Sequence, residues 1–269
     1  MITPAACQML AELCRTRAGI RISADKVYLI ETRLGPLARL EGFTSTQAFI
    51  ERLQAGSDDA QVWATVAALA NAETGFFRDP PVFRALEDEI LPQLIRERAG
   101  RLRIWSAGCG SGQEVYSLAM CLAETPQAPV QVEIVATDLC ERSLGKAKAG
   151  LYSQFEVQRG LSARRLITHF ENSGDLFKAS ARLQQDVRWR RINLAGDVAA
   201  LGPFDLILCR HVLGGLVPDA RPTVLAGLTA ALAPGGRLVL SPSDLEVAGL
   251  KAVGPGIFGQ ADEACVVVI

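Results

Sequence analysis

Residues 102–107, Leu-Arg-Ile-Trp-Ser-Ala, make an unbroken strand-like run that ends directly in Gly108-Cys109-Gly110-Ser111-Gly112, and a helical pattern opens at Gln113 and continues to about Glu124. Few folds accept so abrupt a succession. Glycines at such a junction let the backbone turn sharply and let a ligand approach bare peptide N–H groups at a helix start. Taken alone, the turn requires only positive φ. Its context adds meaning, because the next apolar run, EIVATD (133–138), ends in Asp138, an acid placed to hydrogen-bond a ribose diol.

The rest of the chain extends this pattern. INL (192–194), FDLILC (204–209) and RLVLS (237–241) read as buried strands, ACVVVI (264–269) as a last edge or hairpin strand, and 141–149 and 219–232 as helices. Strands alternating with helices predict a doubly wound, mainly parallel α/β sheet covered on both faces. The polar stretch 150–190 is expected to form a small inserted subdomain, and RWRR (188–191) an exposed strand edge whose charges discourage further pairing.

Ahead of this lies an all-helical module. Thr3 caps a helix with Pro4 at its first position, and Gly19 closes it. Ser23 is expected to cap a second helix with Val27, Ile30, Leu34 and Leu37 on one face. Thr44 and Gln47 have capping-box spacing for a third. Ser57 or Asp58 opens a fourth, with Val62, Val66 and Leu69 as its stripe. A further helix starting at Asp79-Pro80 carries Phe83, Leu86, Ile90 and Leu91. The expected division is a helical domain over 1–75 and an α/β domain over 76–269.

Candidate site residues cluster at strand ends. A dinucleotide site would carry a third glycine where Gln113 stands, so the GxGxG form favours an adenosyl cofactor without pyrophosphate. Glu114, in the first turn of the helix, either complements the helix dipole or holds a cofactor ammonium or sugar hydroxyl. Asn193 is either a reader of an adenine edge or a turn residue satisfying its own backbone. Arg210 and His211 end another strand, where open α/β sheets bind ligands.

Composition narrows the classes of partner. A net charge of -1 provides no field to gather nucleic acid or anionic lipid. The seven cysteines contain no CxxC pair and several sit in apolar runs, which predicts buried thiols rather than disulfides or zinc. No apolar run approaches the ~20 residues of a membrane span. The start, MITPAACQML, lacks the pattern of a secretory signal. A soluble, cytoplasmic protein is expected, with Trp63 and Trp105 in the core.

The segment RLRIWSAGCGSGQEVYSLAM (101–120) resembles the signature of chemotaxis-receptor protein-glutamate O-methyltransferases of the CheR type. NAETGFFRDPPVF (71–83), VATD, GLY (150–152), INL, FDLILCR, LAPGGRLVL and the N-terminal GIRISADKVYLIETRL (19–34) also resemble that family, in its order. The resemblance implies a class I, Rossmann-like domain that binds S-adenosyl-L-methionine, yields S-adenosyl-L-homocysteine, and forms γ-methyl esters on glutamates of receptor cytoplasmic helices. A monomer is expected, and the charge and apolar runs above predict no nucleic-acid partner and no membrane insertion. Matched motif by motif, Thr74 and Arg78 meet the methionine end, with Arg78 the catalytic candidate beside the reacting groups. Gly108 and Gly110 form the turn, Glu114 and Asp138 hold the amino-acid and ribose portions, Asn193 and Leu194 meet the adenine, and Arg210 and His211 border the site.

The chain also departs from the family. Ala72 replaces an asparagine, with Asn71 one residue early, and Ser243-Asp244 replaces Ser-Glu. His211 replaces an asparagine, either taking over its donor role or packing with one satisfied nitrogen. Gly214-Gly215-Leu216 replaces Ile-Tyr-Phe, which removes an aromatic wall and makes that loop flexible. Arg15, Arg17, Arg21 and Lys26 form either a solvated face or a docking surface for an acidic receptor helix. Beside a working methyltransferase, these departures support an alternative: a degenerate signalling module that binds the cofactor with little turnover.

Overall fold

A computed structural model describes residues 2–23, 26–70, 73–98, 100–125, 131–241 and 250–259. Asn71, Ala72, Ser243, Asp244 and the run 264–269 lie outside these. The chain forms two compact units, one of Met1–Asn71 with Gly214–Thr223, the other of Ala72–Leu213 with Val224–Ile269.

The first unit contains α1 (Pro4–Ala18), α2 (Val27–Leu40), α3 (Thr46–Ala55) and α4 (Asp59–Leu69). Leu10, Cys14, Ile30, Leu34, Phe49, Ile50, Val66 and Leu69 are buried. Thr3 Oγ1 accepts from Ala6 N–H at 3.2 Å, and Gly19 closes α1 at φ 63. Two caps differ from expectation. Lys26, not Ser23, precedes α2 and makes no side-chain cap. Ser45, not Thr44, caps α3, while Gln47 pairs with Glu51. Asp58 caps α4. Trp63 is half-buried beneath Arg17 rather than in the core. The double-glycine loop is pinned rather than free: Gly215 C=O accepts from Arg21 N–H at 2.8 Å, and Ile20 bridges Leu216. Arg15 pairs with Glu12, Arg17 with Asp59, and Arg21 with Gly214 C=O. Most of the basic cluster is thus committed within its own unit.

The second unit begins with α5 (Pro80–Ala85), a π-helical turn at Leu86–Ile90 and α6 (Leu91–Glu97). There follow β1 (Arg101–Ala107), α7 (Gln113–Glu124), β2 (Gln131–Asp138) and α8 (Glu141–Ala149). After an insertion come β6 (Val187–Arg191), β7 (Phe204–Cys209), α12 (Arg221–Ala230), β8 (Leu232–Leu240), and a pair, β9 (Lys251–Gly254) and β10 (Ile257–Gly259). The sheet order is β6-β2-β1-β7-β8-β10-β9. The first five strands are parallel, and β10 and β9 add antiparallel. From β1 the chain winds out through β2 to β6 and then returns to β7 on β1's other side. The connections that leave β1 and β7 therefore run to opposite sides, the switch point at which open α/β sheets form a ligand crevice. Trp105 is fully buried, its Nε1–H donating to Thr137 Oγ1 at 2.9 Å.

The predicted strand INL is displaced. β6 is built from VRWRR, with Trp189 half-buried between exposed arginines on a sheet edge. Asn193 leaves the strand because its Oδ1 accepts from Ala195 N–H at 3.1 Å, a local bond that competes with the ladder. Ahead of β6, the stretch from residue 150 holds β3 (Leu151–Ser153), α9 (Gln154–Gln158), α10 (Ala163–His169), β4 (Phe170–Ser173), β5 (Leu176–Ala179) and α11 (Ala181–Gln184). Its three strands form an antiparallel sheet, β3-β5-β4. Of the described cysteines, Cys7, Cys14, Cys109, Cys121 and Cys209 are buried reduced thiols, and Cys140 is half-buried.

A polar cluster joins this insertion to the main sheet's helices. Arg165 pairs with Glu87 on the π turn and with Glu124 at 2.8 Å, and His169 Nε2 meets Glu124 at 2.9 Å. Burial opposes ionisation of Glu124, but hydrogen bonds from Arg165 and His169 outweigh it and hold the carboxyl below its ordinary 4.5. A carboxyl depressed in the folded state stabilises above its unfolded value and loses that contribution as pH falls through the folded one. Glu124→Gln is therefore expected to lower stability by about 1 kcal/mol at pH 7. In urea titrations across pH 3 to 7, its acid-side loss should be shallower than that of the wild type, beginning below about pH 4.5.

Candidate active site at the carboxyl edge of the sheet

The glycine turn is clamped on the end of β2. Gly108 N–H and Cys109 N–H both donate to Thr137 C=O, at 2.8 and 2.9 Å, and Gly110 N–H donates to Asp138 Oδ2 at 2.8 Å. Gly108, Gly110 and Gly112 all have positive φ, at 74, 55 and 88°. At 108 a Cβ would come within 2.5 Å of Val212 Cγ2, and at 112 within 2.8 Å of Ala147 Cβ. Those two glycines are thus required by protein packing as well as by backbone conformation. Asp138 also accepts from Cys140 N–H at 2.8 Å through Oδ1. Burial raises its pKa, against the backbone N–H groups that favour the charged form. A carboxylate has roughly four acceptor positions, so these bonds leave capacity for a ligand.

Across the crevice, Arg210 follows β7 with its side chain fully buried. One guanidinium nitrogen, Nη1, meets Glu114 Oε2 at 2.5 Å; the other, Nη2, meets Asp79 Oδ2 at 2.5 Å and Arg78 C=O at 2.8 Å. His211 Nε2 shares Asp79 Oδ2 at 2.8 Å, and its own N–H donates to Ser241 Oγ at 2.6 Å. Asp79 and His211 both hold left-handed backbone, φ 60 and 58°. Burial lifts the Glu114 carboxyl above its ordinary value despite the charge and hydrogen bond of Arg210.

The fold therefore brings Glu114, Arg210, His211 and the backbone of Arg78 into one network, and joins Gly110 to Asp138 and Gly108 to the neighbouring Thr137. Arg78 Nη1 donates to Glu73 C=O at 3.1 Å, and Thr74 is half-buried earlier on the same segment. Asn193 and Leu194 follow β6 just past Arg191, the register partner of Asp138. The Asn193 side chain makes the turn bond described above. Sequence reasoning missed Asp79, treated only as a helix start. Its carboxylate makes no cap and instead serves Arg210 and His211. Ser241 was also missed, as the end of a strand. Asp79 stands in the 71–83 block and Ser241 ends the RLVLS run, but neither role shows in the sequence, because each acts on a partner more than 25 positions away.

A doubly wound sheet whose switch point carries a glycine turn, a carboxylate in the helix behind it and an acid on the neighbouring strand defines an α/β domain for an adenosyl cofactor. Comparison with known proteins specifies it further. Residues 72–249 match the model of the CheR methyltransferase SAM-binding domain, and residues 5–69 that of the CheR methyltransferase all-alpha domain. The chain is 37% identical over 233 residues to chemotaxis protein methyltransferase 1 of Pseudomonas aeruginosa, covering 84% of this chain and 85% of that protein. It is 35% identical over 245 residues to chemotaxis protein methyltransferase 1 of Vibrio cholerae, covering 88% and 89%. The chain belongs to the CheR family of chemotaxis methyltransferases, and its cofactor is S-adenosyl-L-methionine.

The donor set suits that molecule, which carries an ammonium and a ribose diol but no phosphate. The crevice presents carboxylates at Glu114 and Asp138, and its buried guanidinium is already neutralised by Glu114 and Asp79. Removing the guanidinium should expose how much depends on it. Arg210→Met would leave the Glu114 carboxylate without its cation and Asp79 with His211 alone, with an expected loss of about 3–5 kcal/mol at pH 7 in denaturant titration. That deficit should shrink as pH falls below 7, because protonating the already raised Glu114 carboxyl removes an orphaned charge.

Proposed function

We propose that this protein methylates glutamate side chains on the cytoplasmic helices of chemotaxis receptors, in the cytoplasm, forming γ-methyl esters. The observation that carries the reading is the Glu114 carboxylate held by Arg210 across the switch point, with Asp138 at the end of the adjacent strand. In this reading Glu114 takes the cofactor's ammonium and Asp138 its ribose diol. Asn193 and Leu194 border the adenine, and Gly108 and Gly110 let the cofactor approach the turn. Thr74 and Arg78 meet the methionine end.

When bound, S-adenosylmethionine supplies a methyl carbon on a sulfonium, so the acceptor oxygen gains a C–O bond while the S–C electron pair returns to sulfur as a neutral thioether. A glutamate acceptor is already ionised near neutral pH, and no protein base is needed. The protein's work is to align oxygen, carbon and sulfur and to strip water from the carboxylate. Arg78 orients the acceptor carboxylate, or the cofactor's own, through its planar fork. Arg210 holds Glu114 and the Arg78 carbonyl in place, and His211 steadies the shared carboxylate of Asp79.

A second reading, cofactor binding without turnover, draws on His211, whose Nε2 is committed to Asp79 where the family carries an amide. Incubation with methyl-labelled S-adenosylmethionine and receptor membranes distinguishes the two. The proposed activity yields base-labile label on receptor, reduced at least 100-fold in Arg78→Ala, since misplacing the reacting groups costs on that order. No label with any cognate receptor, alongside intact S-adenosylhomocysteine binding, would sink the first reading in favour of the second.

A further inference from the structure

We infer that the inserted three-stranded sheet is a positioning element for the cofactor site, acting through the hydroxyl of Tyr152. The inference rests on the reading of residues 108–114 and 138 as the cofactor's seat. The turn at 108–112 is held from two different bodies. Its first three residues hang from β2 through the bonds to Thr137 and Asp138. At the fourth, Ser111, the carbonyl accepts from Tyr152 Oη at 2.7 Å, and Tyr152 is the central residue of β3 in the insertion. A chain passing through three left-handed glycines has many alternative conformations to lose, so its far end needs an external tie.

Tyr152 is built to provide one. It is fully buried, and burial raises its pKa well above the ordinary phenol value, so the group remains a protonated donor. Its ring is fixed edge-on by Phe76 at 5.0 Å, Tyr116 at 5.9 Å and Phe170 at 6.3 Å between centroids. A parallel route runs from the same insertion. Ser111 Oγ donates to Gln113 Oε1 at 2.9 Å, and Gln113 Nε2 donates to Glu156 Oε1 at 3.3 Å, with Glu156 closing the capping box of α9.

The insertion also grips the segment that carries Thr74 and Arg78. Phe76 packs on Tyr152 and Phe170, and its carbonyl sits where a Cβ on Gly160 would be, only 1.9 Å away. Arg165 lies over the Phe77 ring at 4.1 Å. Two stretches that face the cofactor from separate parts of the sequence, 74–78 and 111–113, thus meet one small sheet. Tyr152 is a positioning residue and not a catalytic one, because it acts through Ser111.

The test is calorimetric titration with S-adenosylhomocysteine, together with steady-state methylation, on wild type, Tyr152→Phe, Leu183→Ala and Asp138→Ala. Leu183 is a buried residue of α11 in the same inserted stretch and reports on general loosening of the insertion. Tyr152→Phe removes one oxygen and should weaken S-adenosylhomocysteine by about 3- to 10-fold, the range of one hydrogen bond. It should raise KM for S-adenosylmethionine by a similar factor and leave kcat within about twofold. Leu183→Ala should lower the thermal midpoint while leaving affinity within about twofold of wild type. Wild-type affinity in Tyr152→Phe, or an equal loss in Leu183→Ala, overturns the inference. If Asp138→Ala has meanwhile lost binding, the reading of the cofactor seat survives. Wild-type affinity in Asp138→Ala overturns that reading and the inference with it.

Discussion

The buried guanidinium of Arg210 lies between Glu114 and Asp79 and also holds the carbonyl of Arg78. It ties together three chain segments that the topology alone would leave side by side: the segment before α5, the first turn of α7 and the exit from β7. The planar fork suits this task, because its donors reach two carboxylates and a carbonyl in a fixed geometry. Desolvating so many charges is expensive, and such clusters are seldom the cheapest way to stabilise a core. Here the arrangement keeps a carboxylate, Glu114, aimed at the crevice in a place where burial alone would favour its neutral form.

Backbone strain collects around the same tie. Phe77, Asp79 and His211 are the non-glycine residues with positive φ among those described, at 46, 60 and 58°. Each such residue costs on the order of 1–3 kcal/mol unless its surroundings over-determine it. They do. Phe77 N–H donates to Ser117 Oγ at 2.9 Å, Asp79 is held by side-chain nitrogens of Arg210 and His211, and the His211 backbone N–H is taken by Ser241. Strain and charge therefore occupy one region, and that region is the mouth of the crevice.

Much of the architecture was legible because it depends on local pattern. FDLILC spans β7, the helix from Gln113 to Glu124 is α7, and α8 spans 141–149, since apolar runs, helix starts and glycine stops act within a few residues. The misreadings arose where a competing local bond or a distant partner prevailed. INL became a turn because Asn193 bonds its own backbone. Within the expected subdomain the individual strands β3, β4 and β5 were not legible, because strands of three or four residues, half exposed, carry no clear alternation. Their order comes from Phe76, Tyr152 and Phe170 packing together across about 90 positions.

By itself the sequence determined the class of fold, the family and the positions of Glu114, Asp138, Arg210 and His211 near the sheet's carboxyl edge, because each is written in short contiguous motifs. Only the tertiary structure decided how those residues are connected. Asp79, apparently a helix cap, became the shared anchor of Arg210 and His211, and Tyr152, part of an inconspicuous GLY triplet, became the donor to the glycine turn. The physical reason is the same in both cases. A hydrogen bond is set by distance in space, and residues 41 or 132 positions apart come within reach only when the whole sheet has closed around them.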